Sequence, residues 1–215
     1  EKYWHPHQFD QTVKLWSVTK RIEIATLKGH KAGVNTVAFS PDGKLLASGG
    51  GDYLVPGEVK LWSVADQKEI ASLVGHKGIV NAVTFSPDGL LLASADAGNL
   101  LEAGEIKFWS VKDKGVFAAL KGHQFDVKTI TFSSNGRVLV SGGSLLGELK
   151  FWSVTDKAVI TSLPIYTNAV NTCILAPNGL TLFSASSDQS VKLWSIADNV
   201  ELDSWEFNDW MHSVT

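Results

Sequence analysis

Histidine, serine and aspartate recur together along this 215-residue chain, and a hydrolytic triad uses these side chains as base, nucleophile and orienting acid. His30, Ser48 and Asp52 make one such set, and His76 with Ser94 begins another. An enzyme needs one triad, whereas these sets recur with a tryptophan as a fourth member. Repetition of this kind indicates a structural role, because buried polar networks specify cores.

The sequence contains no other motif for catalysis or cofactor binding. It has no Gly-Lys-Ser or Gly-Lys-Thr phosphate loop, no Gly-x-Ser-x-Gly elbow, no His-Glu-x-x-His and no cysteine pair. His5 and His7 lack further ligand partners, so we interpret them as part of a terminus. A Gly-Glu pair recurs immediately before the predicted third strand, at Gly57-Glu58, Gly104-Glu105 and Gly147-Glu148. We interpret it as a turn glycine followed by a polar residue at the edge of the strand. We therefore expect no metal and no cofactor.

The charge balance is nearly even, with 19 basic and 22 acidic residues and a net charge of -3. No long run of either sign occurs, so no strong attraction to nucleic acid or to an anionic membrane is expected. The sequence shows no apolar span long enough for a transmembrane helix and no signal peptide. The single cysteine, Cys173, excludes an internal disulfide and is interpreted as a core residue. We expect a cytoplasmic location.

Eight tryptophans in so short a chain prompt a search for repeats. A Lys-Leu-Trp or Lys-Phe-Trp triplet occurs five times, at intervals of 46, 47, 43 and 42 residues. The triplets end at Trp16, Trp62, Trp109, Trp152 and Trp194. Such spacing predicts a repeated structural unit.

Each repeat unit reads as four short antiparallel strands. In the first complete unit, an alternating segment (34–39) is followed by the Ser-Pro-Asp-Gly turn at 40–43 and an apolar run. A sheet that is apolar on both faces must stack on its neighbours, and radial stacking gives a propeller. The approximate units are 28–73, 74–120, 121–163 and 164–205, with partial units at 1–27 and 206–215.

The recurring Gly-His pair, followed downstream by Leu-Trp or Phe-Trp, resembles the signature of the WD-repeat β-propeller family. The pairs are Gly29-His30, Gly75-His76 and Gly122-His123. Every copy reads Trp-Ser where the name-giving dipeptide is Trp-Asp. The resemblance covers almost the whole chain. It implies an all-β propeller of four-stranded antiparallel blades, with about four complete blades plus partial blades at both ends.

The resemblance also implies a buried hydrogen-bond network of histidine, serine, aspartate and tryptophan in each blade. Residue by residue, the matches are His30, Ser48, Asp52 and Trp62, then His76, Ser94, Asp96 and Trp109, then His123, Ser141 and Trp152, then Ser184, Asp188 and Trp194. The third set lacks an evident aspartate, and Tyr166 replaces the histidine in the fourth.

Both ends of the sequence align within a blade. Residues 208–215 align with 31–38, and residues 9–16 align with 187–194. One interpretation, which we favour, is a fragment of a longer propeller. The other is a small closed ring in which the C-terminal strand completes the N-terminal blade, although Pro6 interrupts the missing strand. An open arc predicts self-association through uncovered apolar faces.

Insertions distinguish three neighbouring loops on one face. In the four complete units, the recurring serine of the second strand and the tryptophan of the third strand are 14, 15, 11 and 10 residues apart. Compared with the fourth unit, the first three therefore carry insertions of 4, 5 and 1 residues between these strands. The insertions carry apolar tips, namely Tyr53, Leu54, Val55, Leu100, Leu101, Leu145 and Leu146. The loops leading into the first strands carry Ile79, Asp126, Ala169 and Trp210. Either these residues form a partner-docking surface, or each tip folds over its neighbour.

The sequence thus favours a non-enzymatic scaffold that binds proteins or peptides within a larger assembly or multidomain protein. One alternative is a propeller that hosts an active site or regulates a fused catalytic domain. A second is a nucleic-acid-associated platform, for which Lys28, Lys31, Lys77 and Lys121 make only a modest basic rim.

Overall fold

The computed structural model describes residues 11–145, 147–164, 166–196, 198 and 200–207. Within these ranges the chain forms 18 β-strands and no helix, which confirms the all-β prediction. No membrane-crossing helix therefore occurs among the described residues. All pairings are antiparallel, and the strands group into one two-stranded and four four-stranded sheets.

Each sheet follows the chain in order. The partial blade comprises β1 (Thr12–Ser17) and β2 (Ile22–Lys28). Blade 1 comprises β3 (Val34–Phe39), β4 (Leu45–Gly50), β5 (Glu58–Ser63) and β6 (Lys68–Val74). Blade 2 comprises β7 (Val80–Phe85), β8 (Leu91–Asp96), β9 (Ile106–Ser110) and β10 (Gly115–Leu120). Blade 3 comprises β11 (Val127–Phe132), β12 (Val138–Gly143), β13 (Glu148–Ser153) and β14 (Ala158–Pro164). Blade 4 comprises β15 (Val170–Leu175), β16 (Thr181–Ser186), β17 (Ser190–Ser195) and β18 (Val200–Glu206).

The turn between the first two strands of a blade is held by its own side chains. In blade 1, Ser40 Oγ donates to Asp42 Oδ1 at 2.7 Å and accepts the N–H of Leu45 at 2.9 Å. Gly43 has a φ of +68°, in the left-handed region that glycine adopts without strain. The Ser-Pro-Asp-Gly pattern therefore fixes where β3 ends and β4 begins.

The hydrophobic core lies between blades. Leu61 of blade 1, for example, packs in one cluster with Phe85 and Trp109 of blade 2, and the same arrangement recurs between blades 2 and 3 and between blades 3 and 4. The partial blade covers Trp62 in the same way. First strands of successive blades contact one another, and Asn81 Nδ2 donates across to the carbonyl of Val127 at 2.9 Å. The stack is therefore a β-propeller arrangement, as expected.

Blade 1 and blade 4 each have one face whose apolar residues match those that are buried between other blades. Val37 and Phe39 of blade 1 are 52% and 56% exposed, whereas the equivalent residues of blades 2 to 4 are buried. At the other end, Trp205 stacks on Phe183 at a centroid distance of 6.4 Å and is 39% exposed. Each end face thus presents apolar surface of the kind that elsewhere packs against a neighbouring blade.

Candidate functional site

The predicted serine, histidine and tryptophan side chains come together in blades 1 to 3. In blade 2, Ser94 on β8 lies with its Oγ 2.6 Å from Nε2 of His76, in the loop before β7. Trp109 on β9 donates its Nε1–H to the same oxygen at 2.7 Å. The same pair of contacts, at 2.6 to 2.8 Å, joins the corresponding residues: His30, Ser48 and Trp62 in blade 1, and His123, Ser141 and Trp152 in blade 3.

The acid beside the histidine differs between blades. Nδ1 of His76 lies 3.0 Å from Asp96 in blade 2, where the sequence placed an aspartate. In blade 1 the carboxylate is that of Glu58, 3.2 Å from Nδ1 of His30, and in blade 3 it is Glu148, 3.2 Å from His123. Nδ1 of His30 and Nδ1 of His76 each lie beside the carboxylate without the geometry of a regular hydrogen bond.

Asp52 is not part of the network, which corrects the sequence expectation. Its Oδ1 accepts the N–H groups of Leu54 and Val55 at 2.8 and 2.7 Å, within its own loop. The position equivalent to Asp96 is Gly50, and Asp52 follows Gly50 by two residues, as Asp188 follows Ser186 in blade 4. Glu58 pairs with Gly50 across the strands and supplies the missing carboxylate.

Sequence reasoning missed Glu58 and Glu148, although the Gly-Glu pairs gave the signal. Glu58 and Glu105 are buried beneath the loops, which the strand-edge interpretation did not anticipate. Each glutamate also pairs with the lysine two residues later: Lys107 lies 2.5 Å from Glu105, and Lys150 lies 2.6 Å from Glu148. The lysine neutralises a carboxylate that would otherwise be costly to bury.

Blade 4 keeps the serine and tryptophan but replaces the histidine. The hydroxyl of Tyr166 lies 2.6 Å from Ser184 Oγ, to which Trp194 donates at 3.0 Å. Burial raises the pKa of Tyr166, so the phenol stays protonated. Asp188 lies beside this contact. Its Oδ1 accepts the hydroxyl of Ser190 at 2.6 Å, and its Oδ2 accepts the N–H of Thr167, next to Tyr166, at 3.3 Å.

The serines of the network are buried inside the blades and have a structural role. Ser48, Ser94 and Ser141 are each 0% exposed, and each Oγ is already in contact with the indole N–H and the imidazole. Burial lowers the pKa of His123 to about 4, although the charge of Glu148 opposes this, so the imidazole is neutral near pH 7. Burial also lowers the pKa of His30. A substrate carbonyl has no access to these oxygens, so the residues hold the loops onto the blades.

One group of potential metal ligands occurs in the described ranges, namely His76, Asp96 and Glu105, whose ligand atoms lie within 4.8 Å of one another. Asp96 accepts backbone N–H groups, including that of Glu105 at 2.8 Å, and Glu105 pairs with Lys107. Burial opposes ionisation of Asp96, but His76 and the backbone donors outweigh it and lower its pKa to about 2. The group is therefore satisfied by the protein itself.

The thiol of Cys173 is also part of the core. It is buried between blades 3 and 4, with Sγ 3.8 Å from Thr129 Oγ1. Burial raises its pKa to about 12, so the unreactive thiol form prevails at neutral pH.

The inserted loops, by contrast, present apolar side chains to solvent. The Asp52 turn (residues 52–55) and the Asn99 turn (residues 99–102) have the same construction. Asn99 Oδ1 accepts the N–H groups of Leu101 and Glu102 at 2.8 and 2.9 Å, as Asp52 Oδ1 does for Leu54 and Val55. The N–H of Asn99 donates to the carbonyl of Glu102 at 2.8 Å. Both turns are thereby fixed by local hydrogen bonds.

The tips of these two turns do not fold over their neighbours. Tyr53 and Leu54 are 97% and 93% exposed, and Leu100 and Leu101 are exposed to the same degree. Leu145 is 55% exposed, while Val55, Ile79, Asp126 and Ala169 are half-buried. Leu146 and Trp210 lie outside the described residues.

Comparison with known proteins identifies the repeats. The family described as "WD domain, G-beta repeat" matches residues 21–63, 67–110, 115–153 and 157–195. The small ribosomal subunit protein RACK1y of Oryza sativa subsp. japonica is 50% identical over 44 residues, which is 20% of this chain and 13% of that protein. The F-box-like/WD repeat-containing protein TBL1X of Mus musculus is 56% identical over 36 residues, 17% of this chain and 7% of that protein. These matches span only a small part of each relative.

Proposed function

The chain belongs to the WD-repeat family, and from that premise we propose that it is a non-enzymatic scaffold whose inserted loops dock partner proteins or peptides. The observation that carries this proposal is the full exposure of apolar tips on two turns that are held rigid. Burying one leucine side chain stabilises a complex by about 1.5–3 kcal/mol. Because the turns are already ordered, little of that gain is lost on binding.

The proposed docking surface extends from blade 1 towards blade 3. It comprises the Asp52 turn, the Asn99 turn and Leu145, together with the half-buried Ile79 and Asp126 at its centre. Ala169 belongs to its margin, and we extend it to Leu146 and Trp210 on the sequence alone. Exposed apolar side chains on neighbouring loops are a feature of protein interfaces.

We place this scaffold in a larger assembly and in the cytoplasm. The name of the rice relative assigns that protein to a ribosomal subunit, which is an assembly of many components. The single, buried and protonated cysteine fits a reducing compartment. The nearly even charge favours protein partners over nucleic acid, and the apolar end faces support self-association if the ring is open.

Affinity capture with the full chain as bait tests the docking surface. We expect the double variant Tyr53→Ser with Leu101→Ser to lose proteins that the native chain retains. The matched control is Leu90→Ser with Leu180→Ser, because these leucines are 66% and 59% exposed at turns on the opposite face. Quantitative mass spectrometry compares the three baits after circular dichroism has verified folding. Identical partner sets for the native and tip-substituted chains would rule out this surface.

A further inference from the structure

We infer that a cavity between the Asp52 turn and the Asn99 turn receives an uncharged apolar side chain, aliphatic or aromatic, from an extended peptide segment of a partner protein. This inference rests on the proposed docking function and specifies what the surface recognises. The cavity has a volume of about 660 Å³ and draws its walls from blades 1, 2 and 3. It is lined by Tyr53, Ile79, Asn81, Leu100, Asp126 and Lys128, among others. That volume lies within the range of ~300–1,000 Å³ that ligand pockets occupy.

The floor of the cavity is rigid because two backbone segments pack directly on each other there. A Cβ added to Gly78 would lie 1.7 Å from the carbonyl oxygen of Gly98, so only glycine fits at position 78. Gly98 has a φ of +67°, and the N–H of Ala97 donates to the carbonyl of Ile79 at 2.9 Å. The cavity is therefore preformed, and a ligand need not order its walls.

The charged side chains around the cavity already have polar partners within the protein. Lys77 forms an ion pair with Glu102, and Lys128 lies 3.9 Å from Asp126. The carboxylate of Asp52 accepts two N–H groups of its own turn. Two lysines and two aspartates line the cavity, so the formal charges of the lining cancel and it does not favour a side chain of either sign. It complements an apolar side chain that contacts Ile79 and the leucines of the Asn99 turn.

Two carboxamides supply complementary groups for a peptide main chain. Oδ1 of Asn99 accepts two turn N–H groups, which leaves its Nδ2 as a donor. Nδ2 of Asn81 donates to Val127, which leaves its Oδ1 as an acceptor. Neither group has a partner among the described residues. A donor and an acceptor beside an apolar cavity match the C=O and N–H of an extended peptide.

The test uses capped tripeptides of sequence Ala-X-Ala, with X as leucine, phenylalanine, lysine or glutamate, added to the full chain. Methyl NMR follows the resonances of Ile79, Leu100 and Leu101. We expect the leucine and phenylalanine peptides to shift these methyl groups saturably, with a Kd at least about tenfold lower than the charged peptides. Equal shifts by charged and apolar peptides, or no shift by any of them, would overturn the inference.

Two variants locate the binding event. Ala97→Phe places a phenyl ring in the cavity beside Ile79, and we expect it to weaken binding of the leucine peptide by at least about tenfold. Asn99→Asp keeps the turn, because Asp52 forms the same turn in blade 1, but it removes the Nδ2 donor and should weaken binding severalfold. Leu90→Ser, on the opposite face of blade 2, is the matched control and should bind normally. If Ala97→Phe disrupts folding, Asn99→Asp alone decides the question, and unchanged affinity in the folded variants contradicts the inference.

Failure of this inference is distinguishable from failure of the proposed function. If the Tyr53→Ser with Leu101→Ser chain loses its partners while the tripeptides show no preference, the docking surface stands and the cavity is not its recognition element. If the tip-substituted chain retains every partner, the docking function itself is wrong.

Discussion

Replacing Ser94 with alanine tests whether the buried network stabilises blade 2. Ser94 Oγ is 2.6 Å from Nε2 of His76 and 2.7 Å from Nε1 of Trp109, and all three side chains are buried. Ser94→Ala therefore leaves an imidazole nitrogen and an indole N–H without a partner. Each such group costs about 1–3 kcal/mol, so we expect a loss of about 2–6 kcal/mol for the two groups together. Domain stabilities are about 5–15 kcal/mol, so the change is large.

The assay is urea unfolding of the native and variant chains, followed by tryptophan fluorescence. Because blades contact mainly their neighbours, hydrogen exchange should also show the greatest loss of protection in blade 2. Ser110→Ala is the matched control in the same blade, since Ser110 Oγ donates to Asp113 at 2.7 Å in an exposed turn. We expect this control to cost about 0.5–1.5 kcal/mol. Equal losses for Ser94→Ala and Ser110→Ala would refute the assignment of a structural role to the network.

Two further predictions concern the charged members of the network. Because burial holds the pKa of His123 at about 4, below its unfolded value of about 6.5, the unfolded chain binds a proton that the folded chain excludes. The free energy of unfolding should therefore decrease as the pH falls from about 6.5 to 4, and His123 should contribute up to about 1.4 kcal/mol per pH unit to this decrease. Urea unfolding midpoints measured over this pH range should lack that contribution in His123→Gln. Glu58→Gln should lower the free energy of unfolding by about 1–3 kcal/mol, whereas Asp52→Asn, which keeps its Oδ1 acceptor, should change it by less than about 0.5 kcal/mol. Thermal unfolding compares these two variants, and the opposite ranking would restore Asp52 to the network.

The periodic features of the fold were predictable because they repeat. The Lys-Leu-Trp and Lys-Phe-Trp triplets mark the third strand of each blade, and turns that end in glycine, such as Ser-Pro-Asp-Gly, mark the junction of the first two strands. A strand has a period of two, so a serine or tryptophan at a fixed distance from a turn must lie on a fixed face of the sheet. For that reason Ser48 and Trp62 were paired correctly without any coordinates.

The acid of the network was harder to predict, because its position depends on the path of a loop. Asp52 stands between the serine and the tryptophan, where the family pattern has an aspartate. In the inserted loop, however, its carboxylate accepts hydrogen bonds from Leu54 and Val55 of the same loop. Glu58 was visible in the sequence, but the position of its carboxylate beside His30 depends on the space that the loop before β3 leaves next to β5. Spacing along the chain carries no information about that space.

The sequence by itself determined the repeating four-stranded units and the residues that face their cores, because apolar alternation and turn chemistry act over a few residues. Only the tertiary structure decided whether the inserted tips were covered. Composition allowed the tips to fold over neighbouring blades, but the Asp52 and Asn99 side chains bind their own turns and hold Tyr53 and Leu100 away from the surface. Likewise, the cavity exists because residues from three blades meet there, and such a meeting depends on stacking rather than on any local pattern.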